Sequence, residues 1–263
     1  AFPGDAVPNS MWRPLPGAPG NHPHSGGLLA TLHLKLTQAH AAQHAVFVVE
    51  PSHVSSQGFA VYESLLPATT ASGEPVAGYD ASGLPASRQL LRLLAAVRRA
   101  AVAPDKAQPV VAPPLVVCGF SKGGVVCNQL LTELAHSHDE QLPAEAAAPA
   151  VELLTRLQAV HLLDAGLPCR GAYLTDPAVA EALARRSASS GLRVCLHGTP
   201  RQWRDPSRRW LGEEKERSLA VLRRAGVRVA AREYFAEEPL SLEMHFRCVD
   251  AFDLGLAAGD GGG

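Results

Sequence analysis

The apolar run Pro114-Leu115-Val116-Val117-Cys118 passes directly into Gly119-Phe120-Ser121-Lys122-Gly123 and then into a stretch of helical character, residues 124–131. A strand that ends in Gly-x-Ser-x-Gly and turns at once into a helix leaves few folds open. The serine must sit on a tight turn at the carboxyl edge of a sheet, and glycines two places to either side let strand and helix close on one another. In a chain with 23 glycines the pentapeptide alone is a weak signal, and the flanking strand and helix are what give it meaning.

The rest of the chain alternates in the same way. Residues 8–27 read as a loop, 28–40 as a helix with Leu29, Leu32 and Leu36 on one face, and 45–49 as a buried strand. A helix over 85–102 has Leu90, Leu91, Leu94 and Val97 facing inward and Arg88, Arg92, Arg98 and Arg99 on a solvated face. After the motif helix come an acidic, Ala- and Pro-rich connector (139–150), a short helix (150–158) and a strand (160–163). Asp176 or Thr175 caps a helix that begins at Pro177, followed by a strand (193–197), a helix closed by Gly226 (213–225) and a final strand (227–230). This alternation predicts an α/β fold, α/β-hydrolase-like, with a mostly parallel sheet covered by helices on both faces. One domain is expected over 1–257, with a disordered tail at 258–263. The long Ser-, Gly- and Pro-rich connection 51–85 reads as a lid or binding segment, although its Phe59, Val61, Tyr62, Leu65 and Leu66 equally suit a core. Phe2-Pro3-Gly4 looks like the exit of a strand, so further chain is expected before Ala1.

Composition narrows the function. A net charge of −1 with 19% charged residues gives no electrostatic claim on nucleic acid. The apolar runs are strand-sized, short of the roughly 20 residues a membrane helix needs, which predicts a soluble chain without an integral membrane segment. The five cysteines are scattered, odd in number and free of Cys-x-x-Cys, so reduced intracellular thiols are expected. His22-Pro23-His24 and His136-Ser137-His138 lack carboxylates or thiols at ligand spacing, and the glycines at 119–124 lack the Gly-Lys-Ser/Thr ending of a phosphate loop. No metal and no cofactor is expected.

A serine hydroxyl becomes a useful nucleophile when a base takes its proton and a third group fixes that base. In the α/β-hydrolase arrangement the order is Ser, then Asp or Glu, then His. Of the eleven histidines, His245 is the one beyond the final predicted strand, in a loop before the closing helix, with Glu243 beside it as a solvent-facing contact. Two aspartates contend for the third place. Asp205, after the strand 193–197, is preferred, with a capping or salt-bridging role beside Arg204, Arg208 and Arg209 as its plainer alternative; Asp164, at the end of 160–163, occupies a rarer location. Oxyanion donors would come from the backbone of Lys122 and from Asp5 or Ala6 in the Phe2-Pro3-Gly4-Asp5 loop, Pro3 having no N–H. The Lys122 side chain could add positive potential or be a surface lysine at a helix start.

These blocks resemble the eukaryotic family named after human chromosome 2 open reading frame 69. The resemblance rests on Phe2-Pro3-Gly4-Asp5, Gly119-Phe120-Ser121-Lys122-Gly123 with Asn128-Gln129-Leu130-Leu131, and Leu163-Asp164-Ala165-Gly166. It extends through Thr199-Pro200-Arg201-Gln202, Asp205-Pro206, Arg209-Trp210, Gly212 and His245-Phe246-Arg247. It implies an α/β-hydrolase-like protein of mitochondria (a cytosolic location being the alternative) with no settled substrate, and carries Ser121 and His245 onto nucleophile and base while keeping Asp164 and Asp205 both open. This chain departs from the pattern by starting at the Phe-Pro-Gly-Asp block and by Ala165 in place of a second glycine. The expected activity is a serine hydrolase acting on a small ester, thioester or similar acyl substrate. The rival is a non-catalytic scaffold that binds or stabilises a protein partner.

Overall fold

The computed structural model describes residues 1–5, 32–34, 36–37, 45–101, 113–137, 144–188 and 190–256, to which the following statements apply. A short antiparallel hairpin, β1 (His53–Val54) and β2 (Ala60–Val61), precedes helix α1 (Pro85–Ala101). The central run is β3 (Leu115–Phe120), α2 (Gly124–Ala135), α3 (Ala144–Thr155), β4 (Leu157–Leu163), α4 (Pro177–Ser187) and β5 (Arg193–Gly198). The short helix α5 (Pro200–Trp203), then α6 (Arg209–Ala225), β6 (Arg228–Glu233) and α7 (Leu242–Ala251) complete it.

Strands β3-β4-β5-β6 lie side by side in that order, every pairing parallel, so each is reached by a crossover that carries helix onto the sheet. Alternation along the strands sorts the side chains onto two faces. Val117, Val160, Leu162, Val194, Leu196 and Val229 enter the main core, which α1 to α4 and α6 cover. Cys118, Phe120 and Leu163 point the other way and meet Phe246, Cys248 and Val249 of α7, with Leu32 and Leu36. The molecule is therefore mixed α/β with a four-stranded parallel sheet flanked by helices.

Local chemistry accounts for the element ends. Asp176 accepts a hydrogen bond from the Ala178 N–H at 2.8 Å with Pro177 in the first helical position, as the sequence predicts. Gly226 closes α6 at φ +91°, a conformation that suits glycine. The sequence reading is corrected at three places. Residues 139–150 are not a connector throughout: α3 starts at Ala144, because an alanine-rich segment has high intrinsic helix preference even with Pro149 inside it. Residues 45–49 are extended and tied by Ala1 N to Phe47 O (2.7 Å) and Val49 N to Ala1 O (2.9 Å), but Phe47 is 40% exposed rather than buried. Val97 of α1 faces solvent. In the 51–85 segment, where lid and core both stayed open in the sequence, Tyr62, Leu65 and Leu66 are buried in the main core, Val61 is buried, and Phe59 is half-buried. The helix read over 28–40 is described at 32–34 and 36–37; the loop at 8–27 and the tail at 258–263 lie outside the described residues. No helix among the described residues is long and apolar enough to cross a membrane.

Candidate active site

Ser121 follows β3 directly and stands at φ +52°, in the left-handed region that an L-residue with a Cβ rarely adopts. Three glycines make this turn possible by close approach. A Cβ on Gly119 would lie 2.5 Å from the Gly123 carbonyl oxygen, one on Gly123 would lie 2.1 Å from the Phe2 carbonyl oxygen, and one on Gly4 would lie 2.6 Å from the Ser121 Cβ. The Gly4 backbone thus passes against the serine, positioned by a parallel bridge in which Phe2 N donates to Cys118 O (2.7 Å) and Phe120 N to Phe2 O (2.9 Å).

On the adjacent strand end, Asp164 leaves β4 at φ +44° and is fully buried. Its Oδ2 is 2.6 Å from His245 Nδ1 and accepts from Thr199 Oγ1 at 3.0 Å; its Oδ1 accepts from the Thr199 N–H at 2.7 Å. The backbone is pinned as well: Asp164 N donates to His197 O at 2.6 Å, and Gln202 Nε2 donates to Asp164 O at 3.3 Å. A buried carboxyl group with several hydrogen-bond partners is satisfied. His245 is 7% exposed and lies in the first turn of α7, which Ser241 caps by accepting from Met244 N at 3.2 Å, so the helix begins before this histidine and not after it. Its ring packs on Phe120 with centroids 4.6 Å apart. With Nδ1 held by Asp164, the tautomer is fixed by that contact and Nε2 is the second ring nitrogen.

Asp205 is placed elsewhere. It caps the turn Pro206–Arg208, accepting from Ser207 N (2.9 Å), Ser207 Oγ (2.6 Å) and Arg208 Nε (2.9 Å). The Ser207 hydroxyl, with the Ser207 amide and Arg208, holds its carboxyl down at about 2. The structure therefore puts Asp164, and not the preferred Asp205, beside His245: an Asp followed by Pro-Ser-Arg finds its donors within its own turn. Glu243 is exposed, as expected.

Lys122 is not at the surface. It is 1% exposed, with Nζ 3.2 Å from Asp5 Oδ1, 3.2 Å from Glu74 Oε1 and 4.4 Å from the Phe59 ring centre, and it donates to the Ser72 carbonyl. Asp5 also accepts from the Ala60 N–H at 2.8 Å, and Tyr62 OH donates to Pro3 O at 2.6 Å. Burial pushes the Asp5 carboxyl up, against the pull of Lys122. Burial also acts to raise Glu74, but the hydroxyls of Ser72 and Thr70 together with Lys122 outweigh it and hold that carboxyl low. Sequence reasoning missed Thr199, Gln202, Glu74 and the packing role of Phe120. Thr199 and Gln202 sit in one of the family-like blocks, and Phe120 inside the pentapeptide, so those three carried a signal; Glu74 carried none. No cluster of three or more metal-ligating side chains occurs among the described residues, and His22, His24 and His138 lie outside them.

The class of protein is thus mixed α/β, with a serine on a strained strand-to-helix turn and an Asp–His pair at the neighbouring strand end. The C2orf69 family model matches residues 95–228, just over half of the chain, a span that holds Ser121, Asp164 and Thr199. The chain belongs to the C2orf69 family. It is 38% identical over 140 residues to the mitochondrial protein C2orf69 homolog of Danio rerio, covering 52% of this chain and 38% of that protein. The corresponding figures are 35% over 136 residues for the Mus musculus homolog (51% and 34%) and 34% over 136 residues for the Homo sapiens protein (51% and 32%). The match spans about a third of the length of these relatives, and their names support a mitochondrial location for this chain. No solved structure matches.

Proposed function

We propose that this chain is a serine hydrolase of the α/β-hydrolase type, acting on an ester, thioester or related acyl substrate through an acyl-enzyme on Ser121. The observation that carries the reading is the convergence, at the ends of two adjacent parallel strands, of a serine at positive φ and a buried Asp164–His245 pair. The order of extended segments supports it: 46–49, then 1–2, then β3 to β6, with the serine after the third of them and the Gly4 loop passing its side.

In this mechanism His245 Nε2 takes the Ser121 hydroxyl proton as Oγ attacks the acyl carbonyl carbon. The carbonyl π electrons move to oxygen, and that oxyanion is met by the Lys122 backbone N–H and a donor from the Gly4–Asp5 segment. Collapse of the tetrahedral species expels the leaving group, which receives the proton from His245. Water then attacks the acyl carbon as His245 accepts its proton, and collapse releases the acid while His245 returns that proton to Ser121 Oγ. Asp164 holds the imidazole in one tautomer and stabilises its charged form.

The test is pre-steady-state hydrolysis of p-nitrophenyl acetate. A burst of p-nitrophenol equal to the enzyme concentration, lost in Ser121→Ala, is the expected result. Turnover that persists unchanged in Ser121→Ala removes the acyl-enzyme, and with it this reading; absence of any reaction favours a scaffold that binds a partner.

A further inference from the structure

Lys122 follows the nucleophile in sequence, and its side chain is buried among Asp5, Phe59, Ser72 and Glu74. An ammonium group at 1% exposure is costly to bury without partners. Its partners here come from two separate segments: Asp5, next to the Gly4 backbone that touches Ser121, and Ser72 with Glu74, in the turn of the 51–85 segment. Asp5 in turn holds the Ala60 amide at the start of β2. The Glu74 carboxylate is itself fixed by the Thr70 and Ser72 hydroxyls, so the far end of the link is rigid. The same residue therefore has its backbone N–H at the turn that would meet an oxyanion and its side chain on the loop that would supply the second donor.

We infer that Lys122 is a positioning residue: its ammonium ties the Gly4–Asp5 loop and the Ser72–Glu74 turn to the serine elbow and so sets the distance between the two halves of the oxyanion hole. This rests on the serine-hydrolase reading for its consequence, though the tie itself does not. A surface lysine would leave the loop free to drift, and a shift of about 1 Å at such a site costs on the order of 10²-fold in rate.

The test compares wild type, Lys122→Met and the triple variant Lys122→Met/Asp5→Asn/Glu74→Gln, which removes all three charges together and so keeps a neutral, folded core. Phosphonylation of Ser121 by a fluorophosphonate is followed as a rate constant per reactive site, so that loss of folded protein does not enter it. A fall of about 10²-fold in both variants, with the triple variant recovering the unfolding midpoint, is the expected result. A triple variant that reacts at the wild-type rate overturns the inference, since Lys122 would then only balance charge. If the wild type does not react at all, the hydrolase reading fails, and hydrogen exchange at the Ala60 amide decides the tie. Faster exchange in Lys122→Met that is not matched across the sheet upholds it; unchanged exchange overturns it.

Discussion

Ser121 and Asp164 both occupy positive φ, at +52° and +44°, and both stand where β3 and β4 end. An L-residue held there costs about 1–2 kcal/mol relative to glycine, so the turn is maintained by the packing around it and not by local preference. Ser121→Gly should therefore raise the unfolding free energy by about 1 kcal/mol while removing the nucleophile, measurable by urea denaturation. A variant that is destabilised instead would mean the serine side chain makes contacts that outweigh the backbone cost. At this scale the sequence was legible where a motif forces geometry and illegible where a side chain chooses between partners. The pentapeptide located Ser121, and chain order located His245. Asp164 and Asp205 each end or follow a strand, and what separates them is that Ser207 and Arg208 satisfy Asp205 locally while Thr199 and His245 converge on Asp164 from distant segments. Lys122 reads as exposed in any sequence, because its carboxylates Asp5 and Glu74 lie more than forty residues away along the chain.

Among the elements, β4, β5 and the residue after β6 share a polar chain on one sheet face. His161 Nδ1 is 3.0 Å from His197 Nε2, and His197 Nδ1 is 2.9 Å from Tyr234 OH. Both histidines are fully buried, and burial, aided by the nearby Arg232, pushes His197 from 6.5 down to about 3. Its folded value lies below its unfolded one, so the unfolded chain binds the proton more readily between those limits. The stability linked to His197 is complete above pH 6.5 and is lost as pH falls from 6.5 toward about 3. Urea unfolding at stepped pH should show that decline, with a shallower slope across the same window in His197→Gln; equal slopes would remove His197 as its source. Elements with strong periodicity or caps were readable in advance, as α1 and the Asp176-Pro177 start of α4 show. The exposure of Phe47 within residues 45–49 was not, since a run of valine and phenylalanine reads the same whether or not the strand is covered.

Across the whole molecule, the site depends on parallel pairing more than on any single element. The register that sets Phe120 opposite Leu163 and Leu163 opposite His197 brings the residues that follow, Ser121 and Asp164, to one edge. Helix α7 then crosses the opposite face from α2 and lowers His245 between Phe120 and Asp164. Alternating periodicity disclosed the layered architecture, whereas the choice of acid required this three-dimensional convergence. The central claim is that Asp164, and not Asp205, orients the base for Ser121. Its most direct measurement is the rate of fluorophosphonate labelling, mapped to a peptide, in wild type, Ser121→Ala, Asp164→Asn and Asp205→Asn. The account predicts labelling confined to Ser121, a loss of about 10³–10⁴-fold in Asp164→Asn, and an unchanged rate in Asp205→Asn. A folded Asp164→Asn protein that labels at the wild-type rate, or an Asp205→Asn protein that loses it, would contradict the account.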